Sequence, residues 1–236
     1  MEIEKIEGTL QKSNKSIIAK MDNMTKQQYQ MFYYILSKLN SSKKISELKE
    51  EDFTFSFNAN ELKKAMNVKR LDYSILEKVF DSLGIKRIEY KKTNKKNSWS
   101  KKIIFKTLTY DNGNISGKMN NEILDYWFDF GKHNTFTTLK ISHTSQLSTK
   151  YGLLLYELLE MDKWKGNNVT FDLDLLHLKL HSTDSKKKRF DYFKEKTLKP
   201  ALRDIKNKIG LDIELDLIRE NRKVVKVSFK IKKGEK

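Results

Sequence analysis

Lys188, Arg189, Tyr192, Lys196, Lys199 and Arg203 fall on one side of a wheel of 3.6 residues per turn, a spacing that suits a phosphate backbone. Ammonium and guanidinium groups in such a row neutralise phosphates, and a guanidinium fork also matches the two acceptors of a guanine edge. Arg189 is therefore the first candidate for reading bases, followed by Lys188 and Lys196, while Lys186 and Lys187 extend the basic run. Tyr192 suits packing on a sugar or a thymine methyl, and equally the rim of a core. Other constellations fall short of chemistry. His177 and His181 stand four apart, the spacing of two ligands on a helix, but no third ligand is near and both read as polar helix-end residues. Four histidines without a His-x-His pair argue against a metal-assisted tyrosine nickase, despite ten tyrosines. There is no G-x-x-x-x-G-K-[ST] for a nucleotide. Asp172 and Asp174 read as helix-start residues, which the helix dipole favours. The expectation is binding without metal or cofactor, not catalysis.

Bulk properties point the same way. Of 236 residues 48 are basic and 31 acidic, a net charge of +17 that calls for a polyanionic partner. Lysine dominates the excess, as an AT-rich coding sequence also produces, so clustering is the better signal. From Gly84 to Lys106 nine bases face one acid, and from Lys186 to Lys208 ten face three. The stretches 47–52 and 121–130 are acidic instead. Apolar residues at 38% allow a packed core, and no run approaches the ~20 apolar residues that span a bilayer. The start, MEIEKIEGTL, lacks a signal peptide's apolar stretch, and the absence of cysteine excludes disulfides, thiol catalysis and cysteine-held zinc. A cytoplasmic protein with no membrane partner is expected.

The elements that must hold the cation row are legible as period. Residues 186–209 read as one helix whose opposite sector, Phe190, Phe193, Leu198, Ala201, Leu202, Ile205 and Ile209, is apolar. Pro200, the only proline, removes a backbone donor and predicts a kink or break at Leu198-Lys199-Pro200, or else two helices meeting there. Strands at Leu211–Ile218 and Lys223–Ile231 follow around a turn that carries Arg222. A basic helix followed by a hairpin is the ending of a winged helix, a helix-turn-helix variant.

Upstream the order is similar. Thr25 suits an N-cap for a helix with Tyr29, Phe32, Tyr33, Ile35, Leu36 and Leu39 inward. Phe53, Phe55 and Phe57 alternate as a short strand, a helix follows at Leu62–Met66, and another at Arg70–Leu83 shows Arg70, Ser74, Glu77 and Lys78 outward. Strands at 85–90 and 101–108 flank a basic loop, read as the wing, with Lys91, Lys92, Lys95 and Lys96 holding DNA backbone or only protecting a sheet edge. A turn at Asp111-Asn112-Gly113-Asn114 and a short helix at 121–130 come next. Then the order recurs, with a helix at 147–164, a strand at Val169-Thr170-Phe171 and a helix at 173–180. The fold class is α+β, two tandem winged-helix domains: an arm at 1–23, an N-terminal domain at 24–115 and a C-terminal, DNA-reading domain at 116–236.

Three stretches resemble the iteron-binding replication initiators (Rep proteins) of theta-replicating plasmids. Leu147-Ser148-Thr149-Lys150-Tyr151-Gly152 through Leu159 resembles the family's "s-x-y-s-x-x-L-Y-e-l-L" helix. Tyr192-Phe193-Lys194 through Leu198-Lys199-Pro200-Ala201 and Ile205 resembles its recognition helix. Arg222-Lys223-Val224 with Val227-Ser228-Phe229 resembles its closing hairpin. The likeness covers roughly Met24 to Lys232. Asp204 stands where the family prefers Glu, a mild change, and Gly152 replaces a bulkier polar residue, read as neutral.

The resemblance implies that the C-terminal domain grips a direct repeat in a plasmid origin; the contact set read from charge and helical spacing is Lys186–Arg189, Tyr192, Lys196, Lys199 and Arg203, with Arg222 and Lys223 on the hairpin. It implies that the N-terminal domain touches an adjacent groove and forms a dimer interface. Monomers would start replication with host replication proteins, and dimers would repress the initiator's own promoter. A transcriptional regulator with the same domains and no origin role is the competing reading, and a scaffold whose charge is incidental is a third.

Overall fold

Two short strands with the same inside–outside alternation organise the molecule. In one, Phe55 and Phe57 are buried between Thr54, Ser56 and Asn58; in the other, Val169 and Phe171 are buried between Asn168, Thr170 and Asp172. Period-two burial of this kind presents one sheet face to a core and the other to water. Each strand runs directly into a helix. The computed structural model describes residues 8–39, 49–71, 73–84, 86–91, 99–123, 136–182 and 189–232. The chain forms two compact units, residues 1–145 and 146–236.

The first unit begins with β1 (Thr9–Ser13), α1 (Asn14–Ile18), β2 (Lys20–Met21) and α2 (Lys26–Lys38). Thr25 caps α2 as expected, and the structure adds a reciprocal box with Gln28: the Thr25 hydroxyl accepts from Gln28 N–H at 3.2 Å, and Gln28 Oε1 accepts from Thr25 N–H at 2.8 Å. Next come β3 (Thr54–Asn58), α3 (Ala59–Ala65), α4 (Tyr73–Gly84), β4 (Arg87–Lys91), β5 (Trp99–Ile103), β6 (Phe105–Asp111), β7 (Asn114–Met119), β8 (Phe136–Lys140) and α5 (Ile141–Gln146). Phe105 closes the core against α2 and β3, edge-on to Phe32 at 5.9 Å and to Phe55 at 6.0 Å.

Three expectations are corrected in this unit. Residues 1–23 are not wholly an arm, because β1 pairs with β8 from Thr9↔Lys140 to Ser13↔Phe136. The boundary placed at 115/116 cuts through β7, which is hydrogen-bonded to both β3 and β6. Asn112 (φ 43°) and Gly113 (φ 84°) there form a two-residue hairpin turn with both central φ positive, not a link between domains. The wing is also displaced. The hairpin that joins the strand β3, in the order β6–β7–β3, is β6–β7, whereas β4–β5 pairs with β2 as a separate sheet. The helix expected at 121–130 shows a single 3-10 turn at Asn121–Ile123; the rest lies outside the described residues, as does the basic loop 92–98.

The second unit holds α6 (Lys150–Asp162), β9 (Asn168–Asp172), α7 (Leu173–Lys179), α8 (Phe190–Phe193), a π-helical turn (Lys194–Leu198), α9 (Lys199–Ile209), β10 (Asp212–Glu220) and β11 (Lys223–Lys232). Its sheet order, β10–β11–β9, repeats β6–β7–β3. Leu153, Leu154, Leu155, Leu158 and Leu159 of α6 pack a core shared with Phe193, Leu198, Ala201, Ile205, Val227 and Phe229. Among the described residues no helix is long and apolar enough to cross a membrane.

Candidate nucleic-acid interface

The apolar positions of the basic helix set its geometry. Phe190 and Phe193 are three apart, Leu198, Ala201 and Ile205 three and four apart, but Phe193 and Leu198 are separated by five. An α-helix would carry Leu198 off the buried stripe, and a π-helical turn restores it, since i→i+5 bonding absorbs one extra residue per turn. Phe193, Leu198, Ala201 and Ile205 are accordingly all fully buried. The same turn accommodates Pro200. Phe193, Leu198 and Lys199 all keep right-handed helical dihedrals, so the helix passes the proline unbroken and the expected break is absent. Gly210, with φ 73°, ends it in the left-handed conformation that glycine adopts without strain.

With the inner face fixed, the outer face follows. The helix starts at Phe190, with Arg189 as its exposed N-cap, and Lys186, Lys187 and Lys188 lie outside the described residues. Tyr192 is 43% exposed, which places it at the surface instead of the core rim. Lys196, Lys199 and Arg203 are exposed. Lys199 is bound to Glu195 at 2.6 Å. Among the described residues no carboxylate pairs with Arg189, Lys196 or Arg203.

The closing hairpin adds a second cationic tip. Asn221 (φ 46°) and Arg222 (φ 66°) form the turn, with Arg222 at the position where β6–β7 has Gly113. An L-residue held there costs about 1–2 kcal/mol, so an arginine at that point is a strained choice. Arg222 and Lys223 are exposed, and Arg219 Nη1 donates to Arg222 O at 3.3 Å. The sheet behind the turn is neutralised along its outer face by cross-strand pairs, Lys232 with Glu214 at 2.6 Å and Lys226 with Asp172 at 3.5 Å.

The helix is anchored by Asp204, whose substitution for the family's Glu is more than a mild change of length. Asp204, buried in α9, accepts from Ser148 N–H (3.0 Å), Thr149 N–H (2.8 Å) and Thr149 Oγ1 (2.8 Å), satisfying donors at the start of α6. A Cβ on Gly152 would stand 2.4 Å from Asp204 Oδ2. Gly152 is thus not neutral: its missing side chain is the space that the carboxylate fills. His177, in the last turn of α7 as expected, is likewise buried, hydrogen-bonded through Nδ1 to Ser182 Oγ at 2.6 Å and 4.2 Å from the Phe193 ring, so this helix-end histidine belongs to the core beneath the basic helix.

In the first unit Arg70 and Lys78 are exposed, and Lys91 ends β4 opposite Trp99. Lys92, Lys95 and Lys96 fall outside the described residues.

Comparison with known proteins gives a consistent frame. The family model described as Initiator Replication protein, WH1, matches residues 9–160, and Initiator Rep protein, WH2, matches residues 172–231. The crystal structure of the Pi initiator protein in complex with iteron DNA superposes with a TM-score of 0.74 at 20% identity, over 95% of this chain and 97% of that one. Domains 2 and 3 of RctB superpose with a TM-score of 0.50 at 12% identity, over 89% and 82% of the two chains. No curated protein sequence matches the chain.

Proposed function

The chain belongs to the initiator replication protein family, and from that premise we propose that it is a sequence-specific double-stranded-DNA-binding initiator of theta-type plasmid replication, engaging direct repeats in the origin. A protein of like fold is held on iteron DNA in its crystal structure. The observation that carries the reading is the helix over residues 190–209, sealed to its core along one side and exposing Tyr192, Lys196, Lys199 and Arg203 along the other. Arg189 at its start reads bases, since recognition helices contact base edges through their N-terminal residues. Lys186, Lys187 and Lys188 extend that contact. The cations of the helix, with Arg222 and Lys223 on the hairpin, supply phosphate affinity. Arg70, Lys78, Lys91, Lys92, Lys95 and Lys96 of the first unit hold backbone in a neighbouring groove.

The role is binding in the cytoplasm, without catalysis or cofactor. Monomers act at the repeats with host replication proteins, and dimers formed through the first unit repress the initiator's own promoter. Footprinting on the origin, with affinities for origin and random duplexes measured across salt, tests this. Direct repeats at helical spacing, bound at least ~10³-fold more tightly than random duplex, are expected. A lone palindrome would identify a transcriptional regulator instead, and equal affinity for every duplex would overturn the proposal.

A further inference from the structure

Glu195 is the misfit of the reading helix. It lies in the π-helical turn, 53% exposed, with its carboxylate 2.6 Å from Lys199 Nζ. The helix's other acids have evident places: Asp204 is buried against the start of α6, and Asp191 sits in the first turn, where the helix dipole favours a negative charge. Glu195 has neither role. It stands in the second turn among Lys194, Lys196 and Lys199, whose charges attract phosphate, and it ties up one of them. Such a carboxylate lowers the phosphate-driven affinity for random duplex.

The pairs Lys206–Asp212 and Lys232–Glu214 join separate elements, whereas Glu195–Lys199 closes within one helix, four residues apart, where it is only a weak staple. The hydrogen bond from Lys199 holds the Glu195 carboxyl below its ordinary range, so it is ionised throughout the physiological span. An ionised carboxylate on a reading surface accepts from the exocyclic amine of cytosine or adenine and is repelled by the acceptor edges of guanine and thymine. Rejecting wrong partners in this way raises specificity at the expense of affinity.

We infer that Glu195 is a specificity-determining residue, its carboxylate selecting an amine-bearing base edge with Lys199 as its counter-ion. The inference rests on the DNA-binding reading of the second unit. Its test compares Glu195→Ala with the unchanged protein on one origin repeat, on single-base variants of that repeat and on random duplex, across salt.

For random duplex the affinity of Glu195→Ala rises about three-fold or more at low salt, and the salt slope steepens by about 0.9 as Lys199 is released to a phosphate. Preference for the repeat shrinks about ten-fold, and the loss of discrimination is confined to one base pair. Removing a cation moves random-duplex affinity the other way, so Lys199→Ala binds random duplex more weakly yet keeps the base preference. Unchanged affinities in Glu195→Ala would reduce the pair to a surface staple and overturn the inference. An equal loss on repeat and random duplex, at unchanged helicity by circular dichroism, would also overturn it. An unchanged protein that prefers no repeat at all removes the proposed function itself, and this inference with it.

Discussion

Both units tie the helix before the alternating strand, β3 or β9, to the helix after it with an ion pair, but with opposite polarity and in different surroundings. In the first unit Lys38 of α2 meets Glu61 of α3 at 2.9 Å, with side chains 37% and 47% exposed. In the second, Glu157 of α6 meets Lys179 of α7 at 2.8 Å, with exposures of 0% and 5%. Water can replace either partner of the outer pair. It cannot reach the inner one, where a charge left alone keeps the full penalty of burial. The sheets differ in their outer-face charge, although the ion pairs on both are exposed. The outer face of β6–β7–β3 carries Thr54, Ser56, Thr107, Thr109 and Ser116 around Lys118, while β10–β11–β9 is laced with paired lysines and acids. The shared topology thus leaves the second unit, which bears the basic helix over residues 190–209, with a buried tie that does not tolerate a single change.

The largest test of that contrast removes one cation from each tie. Lys179→Ala strands Glu157 in the core and should cost about 3–5 kcal/mol, unfolding the second unit first. Lys38→Ala breaks an exposed pair and should cost less than about 1 kcal/mol. Hydrogen exchange read separately over β9–β11 and over β3–β7 gives both numbers in one chain. Equal losses in the two units would erase the distinction. Next in size is the Asp204–Gly152 lock. Asp204→Ala leaves the donors of Ser148 and Thr149 without their acceptor, at roughly 3 kcal/mol, and Gly152→Ala overpacks the same point at about 1–3 kcal/mol. Because both act on one contact, the double variant should fall well short of the sum, and strict additivity in urea melts would show the two positions to be independent.

That lock marks where sequence reasoning stops. Local signals were legible: the Thr25 cap, the alternation of Phe55 and Phe57, the inward face of α2, and the final hairpin from Asp212 to Lys232. What failed depended on partners far along the chain. Asp204 and Gly152 are 52 residues apart, so each was weighed alone. The pairing of β1 with β8 joins residues near 9 and 140, and nothing in either strand names the other. The choice between two consecutive hairpins for the wing is likewise set by which one β3 selects. The π-helical turn is different, because the spacing of five between Phe193 and Leu198 was present in the sequence. A wheel of fixed period hides a single long step by averaging over it. Exposure of Arg189, Lys196 and Arg203 followed from pattern, while the role of Glu195 required the pairing with Lys199.

A smaller effect of opposite sign separates the two hairpin turns. Arg222→Gly relieves the positive φ and should stabilise the second unit by about 1 kcal/mol, yet weaken DNA binding and lower the salt slope by about 0.9 as one phosphate contact disappears. Gly113→Arg in the first unit should lose about the same stability. If Arg222→Gly left affinity untouched, the strained arginine would have no binding role.

The smallest effect is a pH dependence confined to the first unit. Hydrogen bonds from Lys38 and Tyr34, with one from the backbone N–H of Asn58, lower the Glu61 pKa from 4.5 to about 2 in the folded chain. A carboxyl whose folded pKa is depressed stabilises the fold when ionised. Its contribution is therefore complete above about pH 4.5, declines as the pH falls, and is gone below about 2. Glu61→Gln keeps the shape but forgoes the charge, so its urea midpoint over β3–β7 should lie below that of the unchanged chain at pH 7. The two should converge on acidification from pH 4.5 towards 2. Solvent screening keeps the gap under about 1 kcal/mol. The second unit should show no such convergence for this substitution, since Glu61 belongs to the first unit. A gap that stays constant from pH 7 to 2 would mean that the loss in Glu61→Gln does not come from the carboxylate's charge, and the outer tie would then owe nothing to electrostatics.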